Sequence, residues 1–336
     1  MATVELRFLD RAQVTSLLPD TAECQRIIEQ GLIAHGRQQV VLPPKVHLHM
    51  PDPVRGHFNI LPGYVGPLDT AGIKVVSDFM DNYDHDLPSE VALLTLYDPH
   101  TGTPKAIMDA TVITWLRTGT VTAVGAKLLA RPESAVVGHL GARGTAFANL
   151  QGLAHLFPLQ EVRIVSARRE TRARLANRVR DELGVPARAV DSVAEAAEGA
   201  DIVIEATRLH SPQALLETAM LKPGALLVTY GWILAMERSL PLAMDKLVVD
   251  DWAQCCKGGQ LFPLIEAGEL SSEHVYAEIG QIAARLRTGR ERDEERILFW
   301  HRGFAISDIV LGQYLLDRAE QQGIGTMLTL GTYGRE

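Results

Sequence analysis

Apolar positions along this chain recur with two periods, and the rhythm of the elements they predict changes near residue 131. Upstream, a short apolar run predicts a strand over 6–9. Asp20 and Thr21 offer an N-cap, and Ile27, Ile28 and Leu32 share one face of a helix predicted over 22–35. The stretch 40–52 reads VVLPPKVHLHMPD. There Val46, Leu48 and Met50 alternate with Lys45, His47 and His49, the period of a half-buried strand that carries its basic side chains on one face. Further strands are predicted over 57–61, 72–77, 89–97 and 104–108, separated by turns rich in Pro and Gly. A long helix follows over 111–129, with Arg117 near its start. Strands joined by hairpin-like turns, without alternating helices, imply an antiparallel or mixed sheet.

After Arg131-Pro132-Glu133-Ser134 strands and helices alternate. An apolar run over 135–140 ends in Gly141-Ala142-Arg143-Gly144-Thr145-Ala146. A helical pattern follows, then a second apolar run over 162–165, then Ser166-Ala167-Arg168-Arg169. A helix is predicted over 170–183, a strand over 187–190 and a helix to 198 capped by Asp191-Ser192. Strands are predicted over 201–205, 225–229 and 247–249. This alternation implies a parallel sheet with crossover helices. Helices over 272–286 and 306–321 complete the pattern, and the last is expected to return to the N-terminal part.

Strand, glycine turn, helix and strand is an order that holds a dinucleotide. The glycines let the backbone turn, and the helix N-terminus faces the pyrophosphate. Taken alone, the turn is equally a plain connection between a strand and a helix. The fingerprint G-x-G-x-x-G/A has glycine where Arg143 stands, so one close-approach position is lost and a cation is gained. An NAD enzyme usually presents Asp or Glu to the ribose at the end of the second strand. Here Ser166, Arg168 and Arg169 stand there. No carboxylate repels a 2′-phosphate and two arginines suit it, so NADP(H) is expected over NAD(H). The alternative is that both arginines belong to a solvated helix start.

The 336 residues are enough for two ordinary domains, and 46% hydrophobic with 22% charged residues is the profile of a soluble globular protein. A net charge of −8 without a basic block argues against nucleic acid as partner. Three cysteines without a C-x-x-C spacing fit a reducing cytoplasm. The N-terminal stretch shows no signal-like apolar core and no apolar run reaches the length of a membrane span, so a cytoplasmic protein is expected. Lys74 lies in GIKVVS, where a lysine is costly to bury without an anionic partner; the other reading turns it to solvent. An imidazole titrates near neutral pH, which suits His47 and His49 to relay a proton; nothing near them completes a ligand set, and no metal is expected.

RTGTVTAVGAKLLARPESAVVGHLGARGTA resembles the arginine-to-phosphate-loop segment of the ornithine cyclodeaminase/mu-crystallin family. PPKVHLHM, GIKVVS, AIMDATVITWLRTG, VTYGW and FWHRGFAISD extend the resemblance from about 45 to 308. It implies an α/β protein: a Rossmann dinucleotide-binding domain, 119–304, inserted into an α+β substrate-binding and dimerisation domain, 1–118 and 305–336, and assembled as a homodimer. Members include cyclodeaminases, alanine and other amino-acid dehydrogenases, cyclic imine reductases, an opine-type synthase and a thyroid-hormone-binding crystallin. Membership therefore leaves the reaction open.

By position, the resemblance makes Arg117 the planar fork that grips a substrate carboxylate. It makes Lys45 and Lys74 further carboxylate ligands, and Lys74 or His47 the proton donor. Gly141, Ala142, Arg143, Gly144, Thr145, Ser166, Arg168, Arg169, Thr207 and Gly231 are assigned to the cofactor. His301 stands near the nicotinamide, where most relatives carry Ser or Thr; it is a second proton-donor candidate or a helix N-terminal histidine. Asp109 and Asp308 read as caps of the helices that follow.

Two departures bear on the reaction. Cyclodeaminases carry a glutamate where Asn59 stands and a catalytic aspartate where Ile233 stands. Isoleucine neither activates water nor steadies an ammonium, and beside Trp232 it implies an apolar pocket. The expected activity is an NADPH-dependent reductase of a cyclic or open-chain imino acid, reversible as an amino-acid dehydrogenase. The alternatives are a cyclodeaminase-type lyase with recycled NAD and a mu-crystallin-like protein that binds NADPH and a small ligand without turnover.

Overall fold

The computed structural model describes residues 1–334. The chain divides into two compact units, Met1–Arg117 with Phe304–Glu336 and Thr118–Gly303. In chain order the first unit holds β1 (Ala2–Leu9), α1 (Arg11–Leu17), α2 (Thr21–Gly36), β2 (Val40–Val41), β3 (Val46–His49), β4 (Gly56–Val65), β5 (Thr70–Phe79), β6 (Glu90–Tyr97) and β7 (Pro104–Asp109), and the unit boundary falls inside α3 (Thr111–Leu129). The second unit holds β8 (Val136–Leu140), α4 (Ala146–Leu156), β9 (Glu161–Val165), α5 (Arg169–Leu183), β10 (Ala187–Ala189), α6 (Val193–Ala197), β11 (Ile202–Glu205), β12 (Leu226–Thr229), α7 (Leu240–Ala243), β13 (Lys246–Val249), α8 (Trp252–Cys255), α9 (Phe262–Glu266), β14 (Val275–Glu278), α10 (Ile279–Ala283) and β15 (Ile297–Trp300). The chain then returns to the first unit with α11 (Ala305–Gln322) and β16 (Thr326–Tyr333). No helix among the described residues is long and apolar enough to cross a membrane.

The first unit is a mixed sheet in the order β16-β1-β7-β6-β5-β4-β2, with β3 paired to β4. Only β1 and β7 run parallel. Helix α11 is buried almost all round over its first turns and lies on one sheet face. Glycines permit the approach: a Cβ on Gly72 would stand 2.7 Å from Ile309 Cγ1, and one on Gly312 would stand 2.3 Å from Leu94 Cδ2. The alternation of β5 puts Lys74 and Val76 on this covered face. The opposite face is open and apolar: Val46, Leu48, Ile73, Val91 and Leu93 are 38–56% exposed. The expectation for 40–52 is corrected here. The strand is short, its apolar side chains face outward, and Lys45 and His47 are the half-buried ones.

The second unit is an all-parallel sheet in the order β10-β9-β8-β11-β12-β15-β13-β14. Its central strands β8, β11, β12, β13 and β15 are buried on both faces and are largely apolar. This is a doubly wound Rossmann-type sheet, with its topological switch between β8 and β11. The helix expected over 272–286 is not formed. That segment is a short turn, then β14, then α10, because Val275 and Ala277 pair in parallel with Leu247 and Val248.

Candidate functional site

In the first unit, pairing of Lys74 with Leu61 and Leu94 on the flanking strands drives its side chain into the covered side of the sheet. It is fully buried. Its Nζ donates to Asp308 Oδ1 at 2.6 Å and to Thr114 Oγ1 at 3.2 Å. Arg117 Nε donates to the same Asp308 Oδ1 at 3.0 Å. One carboxylate oxygen, itself fully buried, therefore bridges two cations. Arg117 donates through Nε, and among the described residues no hydrogen bond occupies Nη1 or Nη2 of its fork. Burial first, and the Arg117 charge second, bring the Lys74 ammonium down to about 7, against the pull of Asp308. Asp308 is not a cap: it sits in the first turn of α11, whose N-cap Phe304 makes no side-chain bond. Asp109 does accept from Thr111 N at 3.2 Å, at the start of α3.

Strands β3 and β4 add a row of imidazoles. His47 Nδ1 donates to Asn59 Oδ1 at 2.5 Å, and Asn59 Nδ2 donates to His57 Nε2 at 3.2 Å. His49 lies 5.3 Å from His57 and 6.3 Å from His47, ring centre to ring centre. Asn59 pairs with Val76, so this row shares the sheet face of Lys74, and Lys45 joins it by alternation. The structure thus gathers Lys45, His47, Lys74 and Arg117 in one unit. His57 and Asp308 belong to the same group and carried no signal of their own.

In the second unit, β8 ends at Leu140 and the chain turns through Gly141 at φ +102°. A Cβ on Gly141 would lie 2.5 Å from Ala206 O, just past the end of β11. The two strand ends that flank the switch point approach this closely only because position 141 has no side chain. Gly144 is left-handed at φ +57° with open space where a Cβ would point. Ala142 is half-buried and Arg143 exposed. Thr145 is the N-cap of α4, and its Oγ1 lies 2.6 Å from Tyr230 Oη. Asn149 Nδ2 donates to Tyr230 Oη at 2.7 Å and to His139 Nε2 at 3.0 Å, while His139 Nδ1 donates to Gly141 O at 2.8 Å. The loop is thus tied from beneath by a buried polar chain. Burial lowers the His139 imidazole to about 4 and raises the Tyr230 phenol to about 12, so both stay neutral near pH 7.

After β9, Ser166 Oγ donates to Arg168 O at 3.1 Å. Arg168 and Arg169 are exposed; the Arg168 carbonyl also accepts from Thr171 Oγ1, while neither guanidinium makes a hydrogen bond or ion pair among the described residues. Thr207 N donates to Glu205 Oε1 at 2.8 Å; Thr229 Oγ1 and Gln260 Nε2 donate to Oε2 at 2.8 and 2.5 Å. A Cβ on Gly231 would meet Gln260 Nε2 at 2.9 Å. His301 is fully buried, 3.1 Å from Thr122 Oγ1 through Nε2, and its ring lies 4.7 Å from that of Tyr230. Trp232 is not simply an apolar wall, since the Arg302 guanidinium lies 4.7 Å over its ring. Beneath the glycine loop, Tyr230, Asn149 and His139 went unremarked in the sequence, although Tyr230 stands in the VTYGW segment.

A crossed strand end, a left-handed glycine and an open helix N-terminus fit a dinucleotide's pyrophosphate: Gly141, Ala142, Gly144 and Thr145 offer backbone and hydroxyl donors there. The model of the ornithine cyclodeaminase/mu-crystallin family matches residues 5–323. The alanine dehydrogenase of Archaeoglobus fulgidus is 30% identical over 97% of this chain and 98% of its own length. The Thermococcus litoralis Δ1-pyrroline-2-carboxylate reductase, solved with NADH and L-proline, superposes with a TM-score of 0.89 at 26% identity, over 96% of this chain and 99% of that one. An archaeal alanine dehydrogenase dimer with bound NAD superposes with a TM-score of 0.89 at 28% identity, over 97% and 100%.

Proposed function

The chain belongs to the ornithine cyclodeaminase/mu-crystallin family, and from that premise we propose that it is an NADPH-dependent reductase of cyclic or open-chain imino acids, reversible as an amino-acid dehydrogenase. The observation that carries this is the buried pair of cations, Lys74 and Arg117, organised on one oxygen of Asp308, with no hydrogen bond to the Arg117 Nη1 or Nη2 among the described residues. A carboxylate is the group such a fork receives. In this reading Arg117, Lys74 and Lys45 bind the carboxylate beside the imine carbon and fix its orientation. Lys74 Nζ, poised near neutrality, holds the proton destined for the imine nitrogen, and His47, whose Nδ1 is engaged by Asn59, is the second candidate.

The nicotinamide dinucleotide supplies the hydride when bound. Gly141, Ala142, Gly144 and Thr145 hold its pyrophosphate, with Arg143 adding charge. Thr207 and Gly231 line its groove, and buried His301 supports that groove from behind. Ser166, Arg168 and Arg169 receive the 2′-phosphate, and what supports NADPH over NADH is that the two exposed guanidinium groups make no ion pair among the described residues. The lyase reading lacks its carboxylates, since Asn59 and Ile233 stand in their places. The open apolar sheet face of the first unit supports a homodimer built on it.

The test is oxidation of NADPH, followed by absorbance, against a panel of pyrroline- and piperideine-carboxylates and of 2-oxo acids with ammonia or methylamine. Turnover on a member of the panel is expected. Release of ammonia from ornithine without net cofactor oxidation would replace the reductase by a lyase. Tight NADPH binding with no turnover on any member would leave a binding protein.

A further inference from the structure

The Lys74 cluster holds one charge more than a carboxylate clamp needs. Asp308 is fully buried, and its Oδ1 takes hydrogen bonds from both cations. Its other oxygen, Oδ2, is buried without a hydrogen-bond partner. A buried carboxylate so placed is itself an anion occupying the clamp, and it offsets both the desolvation of the two cations and their mutual repulsion. The groups that face Lys74 are Asp308 from α11, Arg117 and the Thr114 hydroxyl from α3, and Glu90 at the start of β6. With Lys74 charged, the trio Lys74, Arg117 and Asp308 carries a net charge of one; with Lys74 neutral it carries none.

We propose that Asp308 is a positioning residue, a resident anion that keeps Lys74 and Arg117 aligned and makes the arrival of a ligand carboxylate draw a proton from solvent onto Lys74. This rests on the carboxylate-clamp reading above and deepens it. A second carboxylate brought beside the trio leaves a buried net negative charge if Lys74 is neutral, and none if Lys74 is protonated. The complex therefore favours the ammonium. The lysine proton level near 7 agrees: at pH 8 only about one lysine in ten is charged beforehand. The buffer acid gives up the proton as Lys74 Nζ gains it, one bond to hydrogen breaking as the other forms, and Lys74 enters the complex in its donor form.

The experiment is calorimetric titration of pyrrole-2-carboxylate, a planar carboxylate that cannot be reduced, into protein saturated with the reduced cofactor it binds. It is run in two buffers of different ionisation enthalpy between about pH 6 and pH 9. Uptake of roughly half a proton or more per ligand is expected near pH 8. Lys74→Met should abolish the uptake. Asp308→Asn removes the resident anion, so Lys74 gives up its proton at lower pH, and the uptake maximum should move down by about one pH unit or more. Binding without uptake in the unaltered protein overturns the inference, and so does uptake that persists in Lys74→Met. No binding of the probe at all overturns the clamp reading itself, and this inference with it. The measurement on the unaltered protein decides even where Asp308→Asn does not fold.

Discussion

At the scale of single residues, chemistry follows from what each side chain is left free to do. Arg117 spends its Nε on Asp308, and its Nη1 and Nη2 carry no bond among the described residues. Removing that fork should cost about 2–4 kcal/mol of carboxylate binding, a rise in KM of roughly 30-fold to several-hundredfold. Arg117→Ala measured by steady-state kinetics checks this, and an unchanged KM takes Arg117 out of the site. Lysine at 117 should rescue poorly, because a point charge does not reproduce a planar fork. Arg168→Ala with Arg169→Ala should weaken NADPH by about tenfold or more and NADH little. Equal losses, read by fluorescence titration of each cofactor, would return both arginines to the solvated start of α5.

His139 carries a pH dependence of its own. Above pH 6.5 the residue is neutral in the folded and unfolded chain alike. Between pH 6.5 and about 4 the unfolded chain takes a proton that the buried imidazole refuses, so stability falls as the pH falls. The loss amounts to about 3 kcal/mol at most. His139→Asn should therefore flatten this part of the denaturation profile, and a profile of unchanged slope would contradict it. Of the residues in the first unit's cluster, Arg117 and Lys74 were legible from the sequence because an arginine at a helix start and a lysine amid aliphatics are unusual in themselves. Asp308 was not: its partner Lys74 lies 234 positions away, and an acid in the first turn of a helix has an ordinary local explanation.

At the scale of elements, the glycine loop is held by what lies beneath it. Tyr230 Oη accepts from Asn149 Nδ2, which leaves its own proton for Thr145 Oγ1. The Thr145 hydroxyl proton is then free to point away from Tyr230, toward whatever the loop binds. Tyr230→Phe deletes one buried hydroxyl that is hydrogen-bonded to Thr145 and Asn149, so the loop should lose order before the fold loses stability. Cofactor affinity should drop about three- to tenfold, close to the worth of one hydrogen bond, with a small change in melting temperature. Unchanged affinity would make the tie purely structural.

The same scale shows why some elements could be read and others not. Strands β8, β11 and β12 were evident because both faces are covered and the runs are largely apolar. The segment 272–286 has apolar spacing that serves a helix and a short buried strand equally; pairing of β14 with β13, a tertiary fact, decides for the strand. Alternation in β3 separated the basic face from the apolar one but could not say which is covered, since periodicity alone does not decide that. The terminal strand β16 has no legible pattern in the sequence for a related reason. Its side chains are mostly exposed and its pairing partner, β1, is at the other end of the chain.

At the scale of the molecule, the first unit spends one sheet face on its own core and leaves the other uncovered. Val46, Leu48, Ile73, Val91 and Leu93 come from β3, β5 and β6, and the register brings Ile73, Val91 and Leu93 onto one face of adjacent strands. A contiguous apolar sheet face is a poor terminus in water, and a second copy of the same chain is the occupant that the proposed homodimer requires. If two copies cover this face, charges placed at its centre meet like charges across the two-fold axis and lose their water. Ile73→Lys with Leu93→Lys should therefore shift the protein from dimer to monomer in light scattering after size exclusion, at unchanged helix content by circular dichroism. These positions point away from Lys74, whose alternation places it on the covered face. Loss of activity in a folded monomer would then mean that assembly itself sustains the clamp, whereas a dimer that survives both lysines would place the interface elsewhere.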